Sequence, residues 1–250
     1  MQDYNKAIKY LSKDKLSNCA LLQVLKRNTA NILKAEEDGV LLFDEVSNAY
    51  MLSAENTEKI FECLKGLENC YLFYVTDNCF VKYLQKLYNL DEILICKQFI
   101  YEDEHIVDYD KNLDIREPSS LDMDIIKKNY DKITDEELEE INKLHNLYVG
   151  YDKSKNMVGF IGNHLEGSMG ILEVFPQYRR NGYASELERF MINDFIRKGM
   201  IPFCQVEVNN EKSIRLQRKL GLKESEKVVY WLSDNLEVKF KITDEIKEDK

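Results

Sequence analysis

The chain has 250 residues, enough for one large domain or two small ones, and its 44% hydrophobic and 32% charged residues are those of a globular protein. A net charge of −10 excludes the broad basic surface that non-specific nucleic-acid binding requires, though it leaves room for a local basic site. No apolar run approaches the ~18 residues that cross a bilayer, so no membrane partner is expected.

In chain order, the first half opens with helices over Tyr4–Leu11 and about Ala20–Arg27. Three short strands follow, NILKAEE, GVLLFDE and NAYMLSA, the first two joined at an Asp-Gly signal. A helix in ENTEKIFECLKGL, a strand CYLFYVT, a helix NCFVKYLQKLYNL and a strand EILICKQFIYE complete it. The polar, acidic stretch EDEHIVDYDKNLD (Glu102–Asp114) reads as the boundary, dividing the chain into domains of residues 1–110 and 111–250.

The second half repeats this order. Helices are expected over about Leu121–Tyr130 and Asp135–Lys143, then strands NLYVGYD, NMVGFIGNH and MGILEVF. A helix from about Tyr183 to Lys198, a strand IPFCQVEV, a helix over Lys212–Leu220 and strands KVVYWL and LEVKFKI close the chain. Two of the helices share a register. Asn78, Leu84, Gln85, Lys86 and Leu90 recur 132 residues later as Asn210, Leu216, Gln217, Arg218 and Leu222, which reads as an ancient duplication. The fold class expected is α/β (α+β), with mixed sheets flanked by helices in tandem.

Six cysteines, Cys19, Cys63, Cys70, Cys79, Cys96 and Cys204, form no C-x-x-C pair, and there are three histidines. No zinc site, and no metal, is expected. Most of the cysteines sit among apolar neighbours and read as reduced core thiols. With an N-terminus, MQDYNKAIKYLSKDK, that lacks an apolar core and a cleavage site, they point to the cytoplasm.

The halves differ at one place. Asn210 lies 36 residues after Val174, whereas Asn78 lies 24 after Ala54. The extra segment holds PQYRRNGYASELERF. A helix that starts directly after a strand and turn leaves its first backbone N–H groups unpaired, at the positive end of its dipole. Such an end is a ready anion site. Gly182 lets a ligand approach the backbone, Ala184 is small for the same reason, and Arg179 and Arg180 can add charge-assisted bonds. Ala184, Leu187, Met191 and Phe195 form one apolar face, so the helix packs while its N-terminus stays aimed at a ligand.

In these motifs the sequence resembles the GCN5-related N-acetyltransferase superfamily. Arg179, Gly182 and Ala184 match its [Q/R]-x-x-G-x-[G/A] pattern, and LEVFPQYRRNGYA looks like its fourth strand and pyrophosphate loop. In VNNEKSIRLQRKLGL, residues Asn210, Ser213, Leu216, Lys219, Leu220 and Gly221 match its fifth strand end and next helix. LDIREPSSLDMDIIKKNY resembles its first strand and helix. The likeness covers roughly Leu113–Ile242. A GNAT-like first half without the phosphate loop also resembles the layout of glycine N-acyltransferase-like proteins.

The resemblance implies a coenzyme A thioester partner, acetyl-CoA as cosubstrate, with its pyrophosphate on Arg180, Asn181, Gly182, Tyr183, Ala184 and Ser185. The backbone N–H of Val174 or Phe175 would bond the thioester carbonyl, and Asn210 and Ser213 would stand near the pantetheine. Asn210 is also placed to cap the following helix. The reaction implied is acetyl transfer to the amine of a small acceptor, with no nucleic acid involved.

Such a transfer needs a proton acceptor, and a carboxylate raised by burial can serve. Glu173 in ILEVF is the first choice and Glu207 in CQVEV the second; a solvated strand residue is the plain alternative for each. Where the family often carries a tyrosine as general acid, this chain has Gln217. The thiolate then leaves unassisted, or Tyr183 or Tyr230 serves, or the domain binds acyl-CoA without turnover. A longer acyl chain stays open, and so does the oligomeric state, with which the tandem arrangement makes a monomer compatible.

Overall fold

The structure, a computed structural model, describes residues 2–234; the expected strand LEVKFKI (residues 236–242) lies outside them. Two compact units emerge, one from residues 2–98, 206–210 and 224–234, the other from Phe99–Gln205 and Glu211–Lys223.

In the first unit α1 (Gln2–Leu11) and α2 (Cys19–Arg27) precede three antiparallel strands, β1 (Ala30–Glu36), β2 (Gly39–Asp44) and β3 (Ala49–Ala54). A short helix, α3 (Glu58–Cys63), leads to β4 (Leu72–Val75), which pairs parallel with β3. Then follow α4 (Val81–Tyr88) and β5 (Glu92–Ile100). Asn28 and Asn89 end α2 and α4 in the left-handed conformation, a cap that asparagine tolerates. The expected helix over Glu55–Leu67 is trimmed at both ends. The Thr57 hydroxyl bonds Asp38 Oδ2 and holds the entry extended, and Gly66 takes a φ of 79° at the exit. Leu41, Leu52, Ile60, Phe73, Phe80 and Leu84 anchor the core of this unit.

The second unit begins with β6 (Asp114–Arg116), α5 (Ser120–Asn129) and α6 (Asp135–Lys143). Ser119 and Asp122 form a reciprocal capping box at α5, and Thr134 caps α6. Strands β7 (Leu147–Tyr151), β8 (Met157–Asn163) and β9 (Met169–Val174) run antiparallel; α7 (Tyr183–Arg197) then crosses to β10 (Phe203–Glu207), parallel to β9. Next come α8 (Glu211–Lys219) and β11 (Lys223–Ser233). On one face of the β7–β9 sheet, Met123, Ile126, Leu138 and Ile141 of α5 and α6 pack on Leu147, Val149, Phe160 and Phe175. The expected stripe of α7 is buried as well, with Leu187, Met191 and Phe195 fully covered.

Both units therefore carry an antiparallel meander followed by a helix and a parallel strand, and both sheets are mixed. The strand order in the first is β1-β2-β3-β4-β11-β5, and in the second β10-β9-β8-β7-β6. β11, which contains the expected strand KVVYWL, pairs antiparallel with β4 through Tyr230–Val75 and Leu232–Phe73.

Candidate active site

The site is built where β9 hands over to α7, at the carboxyl end of a parallel strand, where crossover units present ligand sites. β9 is not regular. Its pairing with β8 steps from Gly162–Gly170 to Phe160–Glu173, so β9 holds one extra residue, and Ile171 takes a φ of 52° within this bulge. Gly159 makes the close approach of β8 possible: a Cβ there would lie 2.2 Å from the Glu173 carbonyl oxygen.

The bulge decides which backbone amide is available. Phe175 N–H donates to the Val158 carbonyl at 2.9 Å, so it is already used. Gly159 and Val174 are register partners in this same antiparallel pair, which turns the Val174 N–H to the opposite edge of β9. That edge pairs with β10 at Met169–Cys204 alone.

Beyond Val174 the chain makes a 3₁₀ turn over Pro176–Tyr178, goes extended at Arg179, and enters the left-handed region at Arg180 (φ 68°) and Gly182 (φ 84°) before α7 begins. Gly182 opens α7 without a side-chain cap, and nothing lies within 4 Å of a Cβ built on it. The first acceptor used by the helix is the Gly182 carbonyl, taken by Glu186 N–H. Among the described residues, the N–H groups of Asn181 to Ser185 have no acceptor. Alternating left-handed residues with free amides form the concavity that suits an anion.

A cleft of about 590 Å³ opens at this helix end. Asn181, Gly182 and Ser185 line it with Arg189, one turn further along α7, and Lys219 of α8. Neither Arg189 nor Lys219 forms an ion pair or hydrogen bond among the described residues. Asp108, Tyr109 and Asp110 contribute the opposite wall. These belong to residues 101–113, which run extended across α7 as a strap. Glu186 Oε1 accepts from the N–H groups of Asn112 and Leu113, both at 2.7 Å. Asn193 accepts from Val107 N–H at 2.7 Å and donates to its carbonyl at 2.8 Å.

The two arginines separate in role. Arg180 is exposed and has no ion pair or side-chain hydrogen bond among the described residues. Arg179 turns back: its Nε donates to the Val174 carbonyl at 2.9 Å and its Nη2 to Glu173 Oε1 at 2.7 Å. It ties the loop to the strand end instead of facing the cleft. Asn181 does similar work, donating from Nδ2 to the Tyr178 carbonyl at 3.0 Å. Tyr183 and Ala184, in the first turn of α7, are half-buried.

Glu173 shares the face of Phe160, under α5 and α6. Around it stand groups that sequence reasoning passed over. The Tyr130 hydroxyl is pushed well above its ordinary range, first by burial and then by the charges of Glu137 and Glu173, so it keeps its proton. The Glu137 carboxyl is also raised, chiefly by burial, with His164 opposing and Glu166 reinforcing the shift. Glu137 was hidden in the sequence because three acids in the first turn of a helix read as dipole partners. Arg189 and Lys219 were hidden as ordinary charges on amphipathic helices, though Arg189 falls on the helix face of Gly182, seven residues on.

Glu207 is exposed, and its carbonyl accepts from Asn210 N–H at 2.9 Å in a tight turn; both fall in the first compact unit, as does Tyr230. Ser213 is half-buried on α8. Gln217 is fully enclosed and donates from Nε2 to Glu188 Oε1 at 2.8 Å. Among the described residues, no group of His, Cys, Asp or Glu is arranged to hold a metal, and no helix is long and apolar enough to cross a membrane.

Comparison with known proteins bears on the fold. Residues 147–232 match the family model described as FR47-like protein. No curated protein matches the chain. A Drosophila protein of solved structure superposes with a TM-score of 0.66 at 12% identity, over 93% of this chain and 96% of that one. A GCN5-related N-acetyltransferase from Kribbella flavida gives 0.52 at 8% identity, over 88% and 95%. A putative GNAT-family acetyltransferase from Novosphingobium aromaticivorans gives 0.50 at 14% identity, over 78% and 88%. The chain has the mixed α/β fold of the GCN5-related N-acetyltransferases, and residues 147–232 match the FR47-like model.

Proposed function

We propose that the protein is an acyl-CoA-dependent N-acyltransferase, with acetyl-CoA as donor and a small amine as acceptor. The observation that carries this is the open cleft at the start of α7, where the amides of Asn181–Ser185 meet two cations, Arg189 and Lys219, none of them partnered among the described residues. Diphosphate is the ligand chemistry that uses both. The donor lies with its phosphates there and its thioester at the free edge of β9, where Val174 N–H bonds the carbonyl and stabilises the oxyanion.

The amine attacks as a neutral nucleophile. The C–N bond forms, the C–S bond breaks, and the amine proton passes to a carboxylate, Glu173 directly or through water. Glu137, whose charge acts with that of Glu173 on the Tyr130 hydroxyl, is the second proton acceptor on this face. The thiolate leaves without a side-chain acid, since Gln217 is buried in its bond to Glu188; a thiol with pKa ~8.5 is a tolerable leaving group. The six cysteines, none of them in a disulfide, support a reducing compartment such as the cytoplasm.

The enclosed Gln217 also favours a second reading, a module that binds acyl-CoA without turning it over. Thiol release from acetyl-CoA across amines, amino acids and polyamines separates the two. Acceptor-dependent release supports the enzyme. Tight coenzyme A binding by calorimetry with no release for any amine or acyl chain supports the module.

A further inference from the structure

Glu188 and Gln217 face each other from α7 and α8, the helices whose residues line the cleft. They are 3% and 2% exposed. Gln217 Nε2 donates to Glu188 Oε1 at 2.8 Å. The remaining two polar atoms, Glu188 Oε2 and Gln217 Oε1, are buried and have no partner among the described residues. Were Glu188 ionised, both would be buried acceptors with no donor among the described residues, an expensive arrangement.

Among the described residues, no charge relieves it. On α7, Glu186 is spent on the strap backbone and Arg189 opens on the cleft. On α8, Arg215 pairs with Glu211, Lys219 lines the cleft, and Lys212 and Arg218 are exposed. On the strap, Asp108 and Asp110 face the cleft; on β10, Cys204 is buried and Glu207 exposed. The two influences on Glu188 are burial, which raises its carboxyl to about 7, and the Gln217 bond, which opposes it.

A single proton on Oε2 removes both faults. A carboxylic acid and a primary amide can exchange two hydrogen bonds in a ring, N–H to one carbonyl and O–H to the other. We propose that Glu188 is a neutral carboxylic acid clasped by two hydrogen bonds to Gln217, and that this clasp is a positioning device for the phosphate cleft. Arg189 follows Glu188 directly, and Lys219 lies two residues beyond Gln217, so fixing these side chains fixes the two cations across the cleft. Loss of the proton removes the O–H donor and leaves two acceptor oxygens opposed. The helices then shift apart and the grip on phosphate slackens. The ligand's identity in this inference rests on the coenzyme A reading above; the protonation state does not.

The test uses the full chain and two readouts. Carbon-13 NMR of labelled glutamate, assigned with Glu188→Gln, follows the Glu188 carboxyl; calorimetry with coenzyme A follows affinity. Glu188→Gln keeps a two-bond amide pair but cannot ionise. We expect the Glu188 signal to titrate near 7. Relative to Glu188→Gln, wild-type affinity should fall roughly tenfold across about two pH units centred there, the size of one weakened charge-assisted bond. Dividing by the variant cancels the titration of the ligand's own phosphates. Glu188→Ala should bind more weakly at every pH, and Gln should rescue it. A Glu188 signal that titrates with the solvent-exposed carboxylates overturns the neutral acid. Parallel affinity profiles for wild type and Glu188→Gln overturn the coupling. Absence of coenzyme A binding at any pH, with Glu188 titrating near 7, defeats the ligand reading and the coupling while the neutral acid stands.

Discussion

At the scale of single residues, Gly182 is where backbone and ligand must meet. Its φ of 84° and the empty space around a built Cβ mean that a side chain would meet only the incoming ligand. Gly182→Val should therefore weaken coenzyme A binding by roughly 10–150-fold, the range for losing a bond worth about 1.5–3 kcal/mol. Part of that loss is backbone strain. Calorimetry on the folded variant with unchanged affinity would remove the loop from the site. Glu173 makes a different prediction. Glu173→Gln should lower kcat by roughly 10²–10⁴ while leaving acetyl-CoA affinity nearly intact, because a base acts on the acceptor's proton. Wild-type kcat in this variant would transfer the role to Glu137. Glu188 ties stability to pH. Its folded carboxyl is raised to about 7 from 4.5, so the folded chain holds a proton that the unfolded chain releases first. That contribution is complete below about 4.5 and is lost as pH rises through about 7. Its full size is on the order of 3 kcal/mol. Urea unfolding should show Glu188→Gln gaining on wild type across that window; a constant difference would contradict it.

At the scale of elements, α7 shows what a sequence pattern reveals and what it hides. The stripe Leu187, Met191 and Phe195, the proline-bounded strand end and the glycine before the helix were all legible, since each follows from helical periodicity or turn chemistry. The strap was not. Glu102–Asp114 is polar and acidic, and such composition reads as a boundary. What holds it is Glu186 and Asn193, two turns apart on α7 and buried under it, where their side chains bond the strap backbone. A buried polar pair on an apolar helix looks like solvated polarity in the sequence, and the same is true of Glu188 and Gln217. Because Asn193 satisfies both backbone groups of Val107, Asn193→Ala should cost about 1–3 kcal/mol. It should also raise amide hydrogen exchange across residues 101–113 while the β7–β9 sheet stays protected. Unchanged exchange in the strap would show that Asn193 is not what holds it.

At the scale of the whole molecule, the repeated order of elements was readable, but the membership of the last strand was not. A strand's sequence records which of its faces is buried, and does not name the neighbours it pairs with. KVVYWL reads as an apolar strand, yet β11 takes its place between β4 and β5 in the first unit. Residues 2–98 alone thus lack an interior strand of their own sheet. Without it, β4 loses its antiparallel partner and presents an open edge, beside a core containing Phe73 and Leu84. A fragment of residues 1–110 should therefore be aggregation-prone and show no cooperative denaturant transition. Supplying residues 223–234 by fusion after a flexible linker should restore one. Cooperative unfolding of the bare fragment would show that β11 is dispensable. The corresponding helix start in the same unit is poorly suited to phosphate. The loop after β3 carries Glu55 and Glu58 at the start of α3 and has neither arginine nor glycine there, so like charge repels a diphosphate where α7 attracts one. Calorimetric titration of the full chain should saturate at one coenzyme A. Two equal sites would mean that the first unit binds the ligand by a surface other than a helix N-terminus.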